Sequence, residues 1–213
     1  MSTPSPNLTV IDHPLVAHKI AQLRSVDTGP REFRALCEEV TLLIAYEALR
    51  DLPTVTTEVT TPITTTSAEV LADPPPAVVG ILRAGLVMVD AILTLMPTAH
   101  VGHLGMQRDP ETHQPIEYYG KLPPRITERE VLVVDPMLAT GGSAIAALDR
   151  LAADGCTDLR LLSIIGCPEG VAAVHAAHPD VKITLAALDE RLNDHAYIVP
   201  GLGDAGDRIY GTL

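Results

Sequence analysis

Residues 131–143, Val-Leu-Val-Val-Asp-Pro-Met-Leu-Ala-Thr-Gly-Gly-Ser, pass from apolar to acidic to small within a single short segment. Four apolar, mostly β-branched residues in a row read as a strand buried on both faces, as in a parallel sheet. The run 143–154 that follows has apolar residues at helical spacing. A strand, a turn of Thr140, Gly141, Gly142 and Ser143, and then a helix make a cradle for an anion. Glycines let backbone N–H groups come close, hydroxyls add donors, and the helix N-terminus contributes partial positive charge. A glycine pair at a helix start costs backbone entropy, which an ordinary connecting turn has no reason to spend. Asp135, at the strand end, would repel a bare phosphate. It fits a ligand that also carries hydroxyls or a divalent cation, such as a ribose 5-phosphate.

The same alternation continues along the chain. Strands are expected at 77–82, 99–104, 131–135, 159–165 and 181–187, with helices at 85–95, 143–154 and 169–178 and two more at 13–24 and 30–50. Strand–helix alternation implies βαβ units, parallel pairing and right-handed crossovers, with ligands at the carboxyl ends of strands. In the second helix Phe33, Leu36, Cys37, Val40, Leu43 and Ile44 form one apolar face. The Thr-rich stretch 54–66 reads equally as a linker or as a short β-hairpin, because Thr is a good strand residue. Residues 106–126 read as an arm that covers the site or contacts a second copy. Two strand ends carry arginine, Arg83 and Arg108, whose guanidinium forks suit phosphate and pyrophosphate oxygens.

Composition narrows the classes. With 213 residues, 46% hydrophobic and no Trp, the chain is expected to form one domain with an aliphatic core. A formal net charge of −12 disfavours nucleic acid or an anionic membrane as partner. No apolar run is long enough for a membrane span, and the first residues lack a signal pattern, so a cytoplasmic protein is expected. Cys37, Cys156 and Cys167 have no metal-ligand spacing and read as packing thiols. His175 and His178 are spaced i, i+3, which permits a metal site but is read as solvent-exposed. Residues 201–206, Gly-Leu-Gly-Asp-Ala-Gly, match the dinucleotide-binding pattern G-x-G-x-x-G. They follow Pro200 with only seven residues after them, which predicts a tight loop and no nucleotide-binding helix.

Val134-Asp135-Pro136-Met137-Leu138-Ala139-Thr140-Gly141-Gly142-Ser143 resembles the phosphoribosyl diphosphate (PRPP) motif of uracil phosphoribosyltransferases. So do Ile81-Leu82-Arg83-Ala84-Gly85-Leu86, Tyr119-Gly120-Lys121-Leu122-Pro123 and the segment Ala196 to Arg208, and the likeness runs from about residue 10 to the C-terminus. The resemblance implies the type I phosphoribosyltransferase fold: an α/β protein with a central parallel sheet of about five strands flanked by helices, a small hood and a protruding β-arm. It divides the single domain 1–213 into N-terminal helices and hood at roughly 1–76, a PRPP-binding core at 77–187 and a uracil-binding segment at 188–213. It implies transfer of the phosphoribosyl group of PRPP to N1 of uracil, giving UMP and pyrophosphate. Arg83 and Arg108 would hold the diphosphate. Asp135, Pro136, Met137, Leu138, Ala139, Thr140, Gly141, Gly142 and Ser143 would hold ribose and 5-phosphate. Ile198, Gly203, Asp204 and Ala205 would read uracil. Catalytic roles fall to Arg83, Arg108, Asp135 and Asp204, the last also touching PRPP and standing nearest as a base for uracil N1.

The resemblance further implies Mg²⁺ carried in as Mg–PRPP without a direct protein metal site, GTP as an allosteric activator, and a homodimer or higher homo-oligomer. A phosphoribosyltransferase-like regulatory protein that binds uridine nucleotides and RNA is the alternative. Three positions depart from the family pattern: Gln107 where many relatives have an aromatic residue, Pro110 where an acid is usual, and Ala196 where Gly is common.

Overall fold

A computed structural model describes residues 7–108 and 115–212. In chain order the elements are β1 (Leu8–Val10), α1 (Pro14–Arg24), α2 (Pro30–Ala48), β2 (Thr54–Thr60), β3 (Thr65–Leu71), β4 (Ala77–Leu82), α3 (Leu86–Leu95), β5 (His100–Arg108) and β6 (Pro115–Lys121). They continue, after a short 3₁₀ turn, with β7 (Val131–Val134), β8 (Met137–Leu138), α4 (Gly142–Ala153), β9 (Leu159–Gly166), α5 (Pro168–Ala177), β10 (Lys182–Leu188), β11 (Arg191–Leu192), β12 (Ile198–Val199) and α6 (Ala205–Tyr210). The expected strands and helices of the core are all present, with ends shifted by a few residues at most.

The main sheet runs β1-β10-β9-β7-β4-β5-β6, with β8 pairing β9 off this path. Every pairing is parallel except β5 with β6. The expectation of about five strands therefore falls short of the eight observed. Three-residue β1 extends one edge, and β5 runs on to Arg108 rather than stopping at residue 104, so that β6 can fold back against it. Expected arm residues 109–114, including the departure at Pro110, lie outside the described residues.

Consecutive strand residues point to opposite faces, and here each face is covered. Val78, Leu132, Val134 and Leu162 pack with α1, α2 and α3. Val79, Ile81, Val131, Val133 and Leu161 pack with α4 and α5. Helix α2 starts at Pro30, whose fixed φ suits a first helical position, and it buries Phe33, Leu36, Cys37, Val40 and Ile44 on one face. The three cysteines are free and buried, as read, and burial pushes the Cys37 thiol up to about 12. Between the two readings of 54–66, the hairpin holds: β2 and β3 pair antiparallel from Thr54↔Leu71 to Thr60↔Thr65. Almost every residue of that hairpin is exposed. No helix among the described residues is long and apolar enough to cross a membrane.

Candidate active site

Strands β4 and β7 are neighbours in the middle of the sheet, and their connections diverge. β4 leads through α3 on one face to β5; β7 leads through α4 on the other face to β9. In open parallel sheets such a switch point opens a crevice beyond the carboxyl ends of the two strands. A cleft of about 440 Å³ lies there, within the usual range for a small-molecule site. Arg83 follows β4, Asp135 follows β7, and Ser143 lies in the first turn of α4; all three line it. From the opposite side come His195 to Ile198 and Gly203 to Gly206.

The turn after β7 is built as the sequence suggests. Gly141 takes φ +83° at the head of α4, and no side chain caps that helix. A Cβ at Gly141 would meet the Gly170 carbonyl oxygen at 3.2 Å and the Ala173 Cβ at 3.3 Å, because α5 backs the turn. Thr140 Oγ1 accepts from the Gly142 N–H at 3.4 Å. Asp135 is half-buried, with its Oδ1 accepting from the Met137 N–H at 3.3 Å. Burial pushes its carboxyl up to about 7; the Met137 N–H opposes that, and nearby Asp204 adds to it.

The expected site residues other than Arg108 separate into three groups. Arg83, Asp135, Met137, Ala139, Ser143, Ile198, Gly203, Asp204 and Ala205 line one cleft. Thr140, Gly141 and Gly142 form the turn at its side. Pro136 and Leu138 do not line the cleft: Leu138 packs in the core, and the Pro136 carbonyl accepts from Ile164 and Ile165 N–H at 3.1 Å each. Arg108 ends β5, and its side chain lies outside the described residues.

Arg83 keeps 58% of its side chain exposed, so its 3.9 Å approach to Asp207 is worth little as an ion pair. Its guanidinium lies 5.7 Å from the centre of the Tyr210 ring, and the Tyr210 hydroxyl donates to the Arg83 carbonyl at 2.9 Å.

Two expectations need correction. The glycine-rich segment is a tight loop only as far as Asp204: a six-residue helix, α6, opens inside it at Ala205, and its N-cap is Asp204, whose Oδ1 accepts from the Asp207 N–H at 2.9 Å. Such a cap stabilises a helix too short for its periodicity to be read. His175 and His178 are partly buried rather than solvent-exposed; His178 Nε2 lies 2.9 Å from Asp149 Oδ1, and His175 Nε2 lies 3.3 Å from the Val181 carbonyl oxygen. Among the described residues, no cluster of three or more His, Cys, Asp or Glu could hold a metal ion.

Sequence reasoning missed His195, Ala196 and Tyr197 as walls of the cleft. One signal was available: Ala196, read above as a departure from the pattern the chain resembles, takes φ +62°. Left-handed backbone favours glycine, so a Gly-to-Ala departure marks a tight turn.

A family model described as uracil phosphoribosyltransferase matches residues 10–212. The chain belongs to the uracil phosphoribosyltransferase family. A relative of that name from Symbiobacterium thermophilum is 58% identical, the match covering 96% of this chain and 98% of the relative. Another from Thermus thermophilus is 57% identical, covering 96% and 99%. The solved structure of the AQ2163 protein from Aquifex aeolicus matches with a TM-score of 0.90 at 37% identity, covering 95% of this chain and 97% of that one. An adenine phosphoribosyl transferase from Trypanosoma brucei, 15% identical with a TM-score of 0.58 over 93% of this chain and 88% of its own, shares the fold alone. The fold is thus the type I phosphoribosyltransferase fold of the family, and the regulatory alternative finds no support among these relatives.

Proposed function

We propose that this chain transfers the 5-phosphoribosyl group of PRPP to N1 of uracil, releasing pyrophosphate and forming UMP. The observation that carries the reading is the switch-point cleft, which joins Arg83, Asp135 and Ser143 to the loop Gly203 to Gly206 in one cavity. In the reaction the anomeric C–O bond of PRPP breaks and a C–N1 bond forms, through a state with positive charge on the sugar and growing negative charge on pyrophosphate. N1 gives up its proton, and Asp204 is the nearest carboxylate to take it. The protein's part is positioning and charge stabilisation.

The turn Asp135 to Ser143 holds ribose and 5-phosphate, with Gly142 and Ser143 offering N–H groups at the start of α4. Arg83 and Arg108 neutralise the diphosphate. Asp135 is desolvated before reaction, so a carboxylate there gains most when positive charge develops beside it. Such differential stabilisation accelerates the step. The backbone groups of Ile198 and Gly203 to Ala205 read the base, and Asp204 meets both substrates.

Magnesium would arrive with the diphosphate and not on a protein site of its own; Asp135 and Asp204, two carboxylates lining the cleft, would hold it there through its water shell. Bound there, magnesium would supply charge neutralisation on the pyrophosphate oxygens. Homo-oligomer formation is supported by the β2–β3 hairpin, which holds Ile63 at 91% and Leu71 at 52% exposure, since a lone two-stranded hairpin is marginal in water. Free buried thiols fit a cytoplasmic location. Activation by GTP is tested by adding it to the assay at fixed uracil.

The deciding experiment is PRPP consumption with uracil, cytosine, hypoxanthine and orotate supplied in turn. Turnover with uracil alone is expected. Turnover with a purine, or none with any base, overturns the reading.

A further inference from the structure

The loop that faces the base fixes itself only in part, through buried Leu202 and the Asp204 cap of α6. Gly201 and Gly203 take φ +65° and +81°, and the side chains between Pro200 and Ala205 are those of Gly, Leu and Asp. The Gly201 peptide is held from elsewhere. Asp189, at the end of β10, is buried, with 3% of its side chain exposed. Its Oδ2 accepts from the Gly201 N–H at 2.9 Å and from Arg24 Nη1 at 2.8 Å. Arg24 Nη2 donates to Asp189 Oδ1, closing a two-point fork, and Nη1 also donates to the Gly201 carbonyl at 2.8 Å. One ion pair therefore holds both polar groups of a single backbone residue. Neither member of the pair lines the cleft.

The next residue is held in the same manner. The Leu202 carbonyl accepts from Arg208 Nη1 at 2.8 Å, while Arg208 donates through Nη2 to the Ser25 carbonyl at 2.6 Å and lies 4.3 Å over the Phe33 ring. The loop is thus anchored to the end of α1, and Gly203 to Ala205 follow directly from two fixed peptides.

We infer that the Arg24–Asp189 pair is a positioning and specificity-determining element for the base: by fixing Gly201 it sets the direction in which the following backbone groups face the pyrimidine. This rests on the proposed reading that those groups contact uracil. Cytosine presents a donor where uracil presents an acceptor. A site that matches one pattern rejects the other only while its own groups stay aimed. A displacement of about 1 Å at such a site costs on the order of 10²-fold.

The test uses Asp189→Asn, which keeps an acceptor for Gly201 but breaks the charge pair, and Arg24→Gln, which acts from a side chain 25% exposed and carries the test should the first variant not fold. Binding of UMP is compared with binding of ribose 5-phosphate, beside kcat/KM for uracil and cytosine. Expected are a loss of about 10–100-fold for UMP, a change within about twofold for ribose 5-phosphate, and a fall of about tenfold or more in the uracil-to-cytosine ratio. Equal weakening of the two ligands, or an unaltered ratio, overturns the inference. If the unsubstituted protein already binds UMP no tighter than ribose 5-phosphate, the base-site reading itself fails instead.

Discussion

The two halves of the cleft are built on opposite plans. The sugar-phosphate half, Asp135 to Ser143, is one continuous run from the end of β7 through β8 into the first turn of α4, and the elements that hold it, β9 and α5, follow directly in the chain. The base half, Ile198 to Gly206, is shaped by partners at great chain distance; Arg24 and Gly201 are 177 residues apart. A local motif carries its geometry in its own residues. A loop pinned by distant side chains carries only permission to be bent, and the instruction lies elsewhere.

Arg83 stands at the seam of the two halves, after β4 and against Tyr210 of α6, and its loss should produce the largest effect. Arg83→Ala is expected to lower kcat/KM for PRPP by about 10²–10³-fold, on the precedent of removing one charge-stabilising donor. Steady-state kinetics decide, and an unchanged rate removes Arg83 from the chemistry.

Next come two glycines, one from each half. A Cβ at Gly201 would stand 2.1 Å from the Ile198 carbonyl oxygen, at a φ of +65°. Gly201→Ala should cost about 2–4 kcal/mol in denaturant unfolding, from left-handed strain plus overpacking, and should raise KM for uracil more than KM for PRPP. Gly141→Ala meets softer contacts and should cost about 1–2 kcal/mol, with the KM effects reversed. If both variants raise the same KM, the division of the cleft is wrong.

Asp135 sharpens the contrast through pH. Its carboxyl titrates near 7 in the folded protein because of burial, and then Asp204, against about 3.9 in an unfolded chain. The folded state therefore holds its proton more tightly. The resulting penalty is absent below about pH 4, grows between pH 4 and 7, and is complete above that. Asp135→Asn should raise Tm of the ligand-free protein at pH 8, with the gain vanishing near pH 4. A gain that is the same at both pH values would mean that the carboxylate is not desolvated.

The smallest effect belongs to the cleft wall just before the base half. Ala196→Gly relieves left-handed strain of about 1–2 kcal/mol but frees the unfolded chain by about 0.4–1 kcal/mol. A net rise of about 1–2 °C in Tm is expected by calorimetry.

The same contrast explains what the amino-acid sequence reveals. β4, β7, β9 and β10 are legible because strands buried on both faces are apolar runs, and α2 because its apolar residues recur at helical spacing. Asp135 and Arg83 are legible because they sit at strand ends beside small-residue turns, and Ser143 because it ends such a turn at the start of α4. Three-residue β1 has no pattern to read. The Thr-rich hairpin left two readings open, since its exposed faces carry no alternation. Helix α6 escaped notice because a cap and remote anchors, rather than periodicity, make it. Asp189 lies in a stretch that resembles the family, but nothing nearby in the chain announces that it grips Gly201; only the return of α1 to the same corner does so.

The distance from Arg24 to Gly201 also imposes an order in time. Closing a long loop costs entropy that short-range contacts do not, so the phosphate turn is expected to organise early during folding and the base loop late. A nascent or refolding molecule would then pass through a stage able to grip a sugar phosphate while still blind to the identity of the base. Pulse-labelled amide exchange at Gly142 and Gly201 dates the two events, and simultaneous protection would erase the interval.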